Sequence, residues 1–287
     1  MTLLDEHVRR LTRNEADMAF KKRVRTIFEW IPPDTTARIL DCACGRGFYL
    51  NYYHTLNPAV RLVGLELDPD ILRKAAANVG HLPNLTLTRS SIYAMPFPDA
   101  YFDGIILSEI LEHLADDVRG LREVWRVLKP GGSVAITVPN ANYPFWWDPI
   151  NKTLETTLRT KIRRGPLAGI WANHERLYTL DELRHAVLSA GFEVVAQRAF
   201  THYSFPFIHN LVYGLGKPLL ESGALPDAMA RAADRTTFDQ NRGSLLNPVN
   251  LGLAIFNWFD RANQLEEPLD RSTVNLCIHA RKPQPTS

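Results

Sequence analysis

Between residues 38 and 139, short apolar runs alternate with stretches in which apolar side chains recur every third or fourth position. The runs Arg38-Ile39-Leu40-Asp41-Cys42, Arg61 to Glu66, Leu85 to Thr88, Phe102 to Ser108 and Val134 to Val138 predict strands. The stripes Ile71, Leu72, Ala75, Val79 and Val118, Leu121, Val124, Leu128 predict helices between them. Phe102 to Ser108 is apolar almost without a break, as a strand covered by helices on both faces requires. Strand and helix alternating in this way predict right-handed crossovers and a doubly wound α/β sheet. After an interruption, a helix on Leu183, Val187 and Ala190 closes at Gly191, with a sixth strand at Phe192 to Ala199 and a last at Thr273 to Ala280.

Local chemistry marks several boundaries. Asp68-Pro69 starts a helix, because Asp68 can cap it and proline costs nothing in the first turn. Thr12 and Glu15 have capping-box spacing, and Ala16, Phe20, Val24, Ile27 and Ile31 then predict an amphipathic helix up to Pro32. Its basic run, Lys21, Lys22, Arg23 and Arg25, reads as a solvated face. Residues 1–35 are thus expected to form an N-terminal helical cap on one domain, 36–287, that carries insertions at 141–176 and 201–271.

Composition narrows the class. With 287 residues, 45% hydrophobic and 22% charged, the chain can bury a full core, and a net charge of +2 is too small for a polyanion partner. No nucleic-acid partner is therefore expected. Three cysteines supply neither a disulfide framework nor a metal quartet, which fits a reducing cytoplasm. Charged residues at 5, 6, 9 and 10 exclude the apolar core of a signal peptide, and no spanning segment is apparent.

The candidate chemistry lies where the first strand ends. Asp41 is followed by Ala43, Cys44, Gly45 and Gly47, small residues that let a ligand approach the backbone at the strand's carboxyl end. Glu66 ends the neighbouring strand, where a carboxylate can accept both hydroxyls of a ribose. The same turn also serves plain packing, and a glutamate before a helix is often only surface. Their coincidence favours a nucleoside-containing cofactor. Leu50 occupies the third glycine position of a dinucleotide fingerprint, which disfavours NAD.

Those segments, with Met95 to Asp103, Leu128-Lys129-Pro130-Gly131-Gly132, His174 to Thr179 and Ala190-Gly191-Phe192, give the chain its likeness: it resembles a class I S-adenosylmethionine-dependent methyltransferase of the small-molecule type. The likeness covers roughly residues 36–200 and the last strand. It implies a Rossmann-like, doubly wound, seven-stranded, mostly parallel sheet with an antiparallel last strand and helical, aromatic insertions. It further implies S-adenosyl-L-methionine as cofactor, with Asp41 and the backbone of Ala43, Cys44, Gly45 and Gly47 at the methionyl end. Glu66 would take the ribose, Leu67 the adenine face, and Ser91 and Ile92 the adenine edge, with Ser108 completing the site. Two departures stand out: Ala43 replaces the family's first glycine, and Ser91 its adenine-contacting aspartate.

A sulfonium methyl is already electrophilic, so the protein mainly orients an acceptor and excludes water, and a dedicated base is optional. His113 and His174 are the candidate bases, either of which can equally satisfy a local backbone group. The insertions would cover the acceptor, with aromatic Tyr143, Phe145, Trp146, Trp147 and Trp171 beside basic Lys152, Arg159, Lys161, Arg163 and Arg164. Together with the apolar Phe200, Tyr203, Phe205, Phe207, Tyr213, Val249, Leu253, Phe256 and Trp258 further on, this mixture suits a small-molecule or lipid- or glycan-linked acceptor, methylated at oxygen, with peripheral contact to a membrane; the plain alternative for those apolar residues is a satellite core. The competing reading is a non-catalytic S-adenosylmethionine-binding module with an interaction role.

Overall fold

A computed structural model of the chain describes residues 2–34, 36–216, 219, 222, 225–233, 244 and 247–285. Its centre is a seven-stranded sheet, β1 (Arg38–Cys42), β2 (Arg61–Glu66), β3 (Leu85–Arg89), β4 (Phe102–Ser108), β5 (Leu128–Pro139), β6 (Glu193–Phe200) and β7 (Asn275–Arg281), in the order β3-β2-β1-β4-β5-β7-β6. β1 pairs in parallel with β2, Asp41 opposite Gly64, and with β4, Asp41 opposite Ile106. β2 with β3 and β4 with β5 are parallel too, while the last strand runs antiparallel. The strand order reverses between β1 and β4, which puts a crevice at the carboxyl end of β1.

Helices α1 (Leu3–Leu11), α2 (Met18–Trp30), α3 (Phe48–Leu56), α4 (Pro69–Val79), α5 (Asp117–Val127), α6 (Pro149–Leu158) and α7 (Leu180–Ser189) follow. Asp68 caps α4 by accepting from the Asp70 and Ile71 amides, with Pro69 in the first turn, as the sequence predicts. The amino-terminal prediction needs correction. Thr12 does not begin a helix; it ends α1, its hydroxyl donating to the Val8 carbonyl, and α2 begins only at Met18, capped by Asp17, whose Oδ1 accepts from the Ala19 and Phe20 amides. The strand expected at Val134 also starts earlier. Leu128 already pairs with Phe102, and Pro130-Gly131-Gly132 is an irregularity within β5, not a gap before it.

The chain divides into two compact units. One comprises residues 23–138, 180–197 and 277–287, and carries β1 to β4. The other comprises residues 1–22, 139–179 and 198–276. Its core is Met18, Ala19, Tyr143, Trp147, Ile170, Trp171, Leu177, Ile208 and Val274, against which Phe205, Phe256 and Phe259 pack. Three of the insertion aromatics are therefore core, whereas Phe145 and Trp146 stay exposed. Buried Asp148 ties the insertion together, accepting from the Asn151 amides and from the Ile170 amide. A side chain at Gly169 would run into that carboxylate.

The basic run of α2 is not a solvated face. Lys22 is buried and pairs with Asp260, at the end of the helix Pro248–Asp260, and Arg23 is buried and pairs with Glu109 at 2.6 Å. Residues 234–243 of the expected second insertion lie outside the described residues.

Candidate active site

The carboxyl ends of β1, β2 and β4 bring together most of the residues singled out above. Asp41 is 2% exposed, and its Oδ2 is buried with no hydrogen-bond partner among the described residues. Burial first, and the Glu66 carboxylate second, push the Asp41 carboxyl from the usual 3.8 up to about 8. A buried acceptor left open in this way is a candidate for a ligand donor, and a carboxyl whose proton affinity is displaced by burial and a like charge is a candidate functional group.

The loop after β1 is built for close approach. Ala43, Gly45 and Gly47 have φ of 64°, 55° and 83°, all in the left-handed region. A Cβ on Gly45 would meet nothing within 4 Å, so that side of the loop is open. Gly47 ends the turn and starts α3; a Cβ there would meet Val79 at 2.7 Å. Ala43 adopts the same region without glycine's freedom, at a cost of about 1–2 kcal/mol. Cys44 returns its amide to the Leu65 carbonyl, 2.9 Å, which fixes the loop on β2. Opposite it, Gly64 has no room for a side chain: a Cβ would lie 2.7 Å from Leu50, 2.8 Å from Leu87 and 3.0 Å from Cys44 Sγ.

Glu66 holds this loop to the next. Its Oε2 accepts from the Gly45 amide at 3.1 Å, while Oε1 accepts from the Leu67 and Asp68 amides at 2.8 and 3.0 Å. With about four lone-pair positions on a carboxylate, three are in use. Leu67 is exposed, Ile92 is buried, and the Ser91 oxygen accepts from the Tyr93 amide at 3.2 Å.

Ser108, at the end of β4, belongs to a relay. Thr137 donates to Glu109 Oε1 at 2.9 Å, so it accepts from Ser108 at 3.1 Å, which in turn accepts from the Tyr49 hydroxyl at 3.0 Å. The carboxylate can only accept, and that sets the direction of every hydroxyl in the chain. Glu109 itself stands at φ 55° and its Oε2 meets Arg23. Tyr49 and Glu109 were not singled out by sequence, and Arg23 was read only as part of a solvated basic run. The available signal was weak: a tyrosine two positions after Gly47, the first residue after β4, and one arginine inside a basic run.

His113 lies on the short turn Leu111–His113 at the same end of the sheet, its Nε2 3.9 Å from Glu112 Oε1, beyond hydrogen-bond reach. Glu112 is fully buried, and burial, then Glu109, raise its carboxyl well above the usual range. His174 is half-buried in the other compact unit, its amide donating to the Trp171 carbonyl at 3.2 Å. The structure thus gathers Asp41 to Gly47, Glu66, Leu67, Ser91, Ile92, Ser108 and His113 in one unit and His174 in the other.

The donor set fits a ligand with a cationic end, a sugar and a flat apolar ring: an open buried carboxylate, a second carboxylate one strand away, and apolar Leu67 and Ile92. Comparison with known proteins agrees. Residues 40–136 match the family described as Methyltransferase domain. A protein of Mycobacterium tuberculosis named a "Probable S-adenosylmethionine-dependent methyltransferase" is 26% identical over 183 residues, 63% of this chain and 58% of that one. The chain thus spans somewhat over half the length of that relative. A ubiquinone/menaquinone biosynthesis C-methyltransferase of Pasteurella multocida is 31% identical over 103 residues, 34% of this chain and 38% of that one. An S-adenosylmethionine-dependent methyltransferase structure from Mesorhizobium loti superposes with a TM-score of 0.52 at 17% identity, covering 92% of this chain and 100% of that one, and shares the fold. With the strand order, the glycine turn after β1 and the β2 carboxylate in place, residues 40–136 form a methyltransferase domain of the class I, S-adenosylmethionine-dependent family.

Proposed function

We infer that the chain transfers a methyl group from S-adenosylmethionine to oxygen of a small-molecule or lipid- or glycan-linked acceptor. The observation that carries the cofactor half is the buried Asp41 carboxylate with an open Oδ2, beside a loop whose Gly45 face is clear. The cofactor supplies the electrophilic methyl on a sulfonium. The residues of this chain bind and orient it. Asp41 faces the cationic methionyl end, and the ionised carboxylate regains there the partner that burial took from it. Glu66 accepts a ribose hydroxyl with its remaining lone pair, and takes a second as the Gly45 bond gives way. Leu67 and Ile92 flank the adenine, and the Ser91 oxygen, already taking the Tyr93 amide, adds its second lone pair at the amine edge. Ser108 shapes the site through the relay that ends on Glu109, and His113, at the carboxyl end of β4, removes the acceptor's proton. Acceptor choice is carried by the unit that holds 139–179 and 198–276, where His174 and the insertion aromatics reside.

The test has two stages. The full chain is titrated with S-adenosylmethionine and with its demethylated product in a calorimeter, then incubated with labelled cofactor and a metabolite extract. Saturable heat and a labelled product are expected. Heat without any product leaves a binding module, the reading that Ala43 at an unfavourable φ supports; absence of heat with a folded sample refutes both. A labelled methyl on carbon, as the name of the Pasteurella relative describes for that protein, would overturn the assignment to oxygen.

A further inference from the structure

The unit containing 139–179 and 198–276 has one face whose composition does not suit water. Phe145 and Trp146 are 46% and 55% exposed, and Leu158, Leu167, Phe207 and Leu211 are exposed as well. These side chains come from three segments that the backbone holds together. The Phe207 amide donates to the Trp146 carbonyl at 3.1 Å, and the Asn210 side-chain amide donates to the Pro166 carbonyl at 3.2 Å. One of the three, the stretch 156–174, holds Arg159, Lys161, Arg163 and Arg164 and not one acidic residue.

These cations are not spent inside the protein. Arg159 and Arg164 make no ion pair among the described residues. The Lys161 ammonium and the Arg163 guanidinium lie over the face of Trp171, 3.4 and 5.5 Å from its ring centre, and Arg163 also donates to the Glu175 carbonyl at 3.4 Å, contacts that hold the two cationic heads in place without neutralising their charge. Trp171 is itself anchored, its indole N–H donating to Glu155 at 2.6 Å. The loop is therefore a held platform of cations bordered by exposed aromatic and aliphatic groups.

We propose that this face docks on an anionic lipid bilayer. The cations meet lipid phosphates, and Phe145, Trp146, Leu167, Phe207 and Leu211 enter the boundary between headgroups and acyl chains. A polyanion without an apolar layer, such as a nucleic acid, satisfies the arginines and leaves the exposed leucines in water; a bilayer interface accepts both. Each basic residue near an anionic leaflet contributes about 1 kcal/mol, or roughly a fivefold gain in partitioning, so four of them matter more than any single contact. The proposal stands apart from methyl transfer, and its readout does not involve the cofactor.

The test is co-sedimentation of the full chain with vesicles of phosphatidylcholine alone and of phosphatidylcholine mixed with phosphatidylglycerol. Binding is expected to the mixed vesicles only, and to fall steeply with salt. Arg159→Glu with Arg164→Glu is expected to lower it more than a hundredfold; both residues are exposed and unpaired, so the fold is kept, as unchanged thermal unfolding would show. Trp146→Ser with Phe207→Ser is expected to weaken binding while sparing its salt dependence. Failure to bind mixed vesicles, equal binding to both vesicle types, indifference to charge reversal, or tighter binding to single-stranded RNA than to vesicles overturns the proposal. Cofactor binding measured on the same sample separates this outcome from failure of the methyltransferase reading.

Discussion

Replacing Asp41 with asparagine tests the site at its most strained group. In the unfolded chain this carboxyl gives up its proton near 3.8, whereas in the folded protein burial and Glu66 hold the proton until about pH 8. Between those values the folded state binds one proton more than the unfolded state, so stability falls as pH rises from about 4 to 8, and is flat above that. At about 1.4 kcal/mol per pH unit, the fall is on the order of 5 kcal/mol across the window. Asp41→Asn cannot ionise. It is expected to erase this slope and to be more stable than the parent at pH 8, by that amount less the roughly 1–3 kcal/mol of an amide left without a partner. Urea unfolding at a series of pH values reads both. A cationic ligand at Oδ2 favours the ionised form, so cofactor binding at pH 7 is expected to release close to one proton, visible as heats that differ between phosphate and Tris buffers. The variant should bind about ten- to a hundredfold more weakly, the worth of one charged hydrogen bond. A slope unchanged by the substitution, or binding without proton release, would show that Asp41 is not the group described.

Three further outcomes follow from the same geometry. Ala43→Gly removes about 1–2 kcal/mol of left-handed strain against about 0.5–1 kcal/mol of added chain entropy, so the melting temperature should rise by a few degrees; a clear fall would contradict the φ of 64°. Gly64→Ala puts a methyl 2.7 Å from Leu50 and 2.8 Å from Leu87, and denaturant unfolding should show a loss of about 1–3 kcal/mol. Arg23→Met leaves the Glu109 carboxylate without its cation and should cost about 1–3 kcal/mol, part of which Glu109→Gln restores in the double variant; strictly additive losses would deny the coupling.

What was legible in the sequence was whatever short-range chemistry decides. β2 is read to the residue because its apolar run stops at Glu66 and Asp68-Pro69 must begin a helix. The turn after β1 is legible too, since Gly45 and Gly47 follow directly on the strand and take the left-handed φ that ends it. The basic run of α2 was misread because its partners are distant: Asp260 lies 238 residues from Lys22, and no local pattern announces it. The start of α2 was misplaced because Thr12 and Asp17 are both capping residue types, and only the fold shows which one faces outward from a helix end. The relay from Tyr49 to Glu109 joins α3, β4 and β5, so its members are neighbours only after the sheet has formed. Phe145 and Trp147 are two positions apart in one aromatic run, yet one is exposed and the other core, a division that the turn geometry makes and composition cannot.

Cys44 sits in the glycine turn, 6% exposed, with its sulfur against Gly64; burial, then the charge of Asp41, push its thiol well above the ordinary range. Such a sulfur is chemically silent while the turn stays closed. Alkylation at this position can therefore proceed only as fast as the turn parts from β2, and the labelling rate becomes a clock for that opening. Cys42 and Cys277, at 0% exposure, mark slower time on the same molecule.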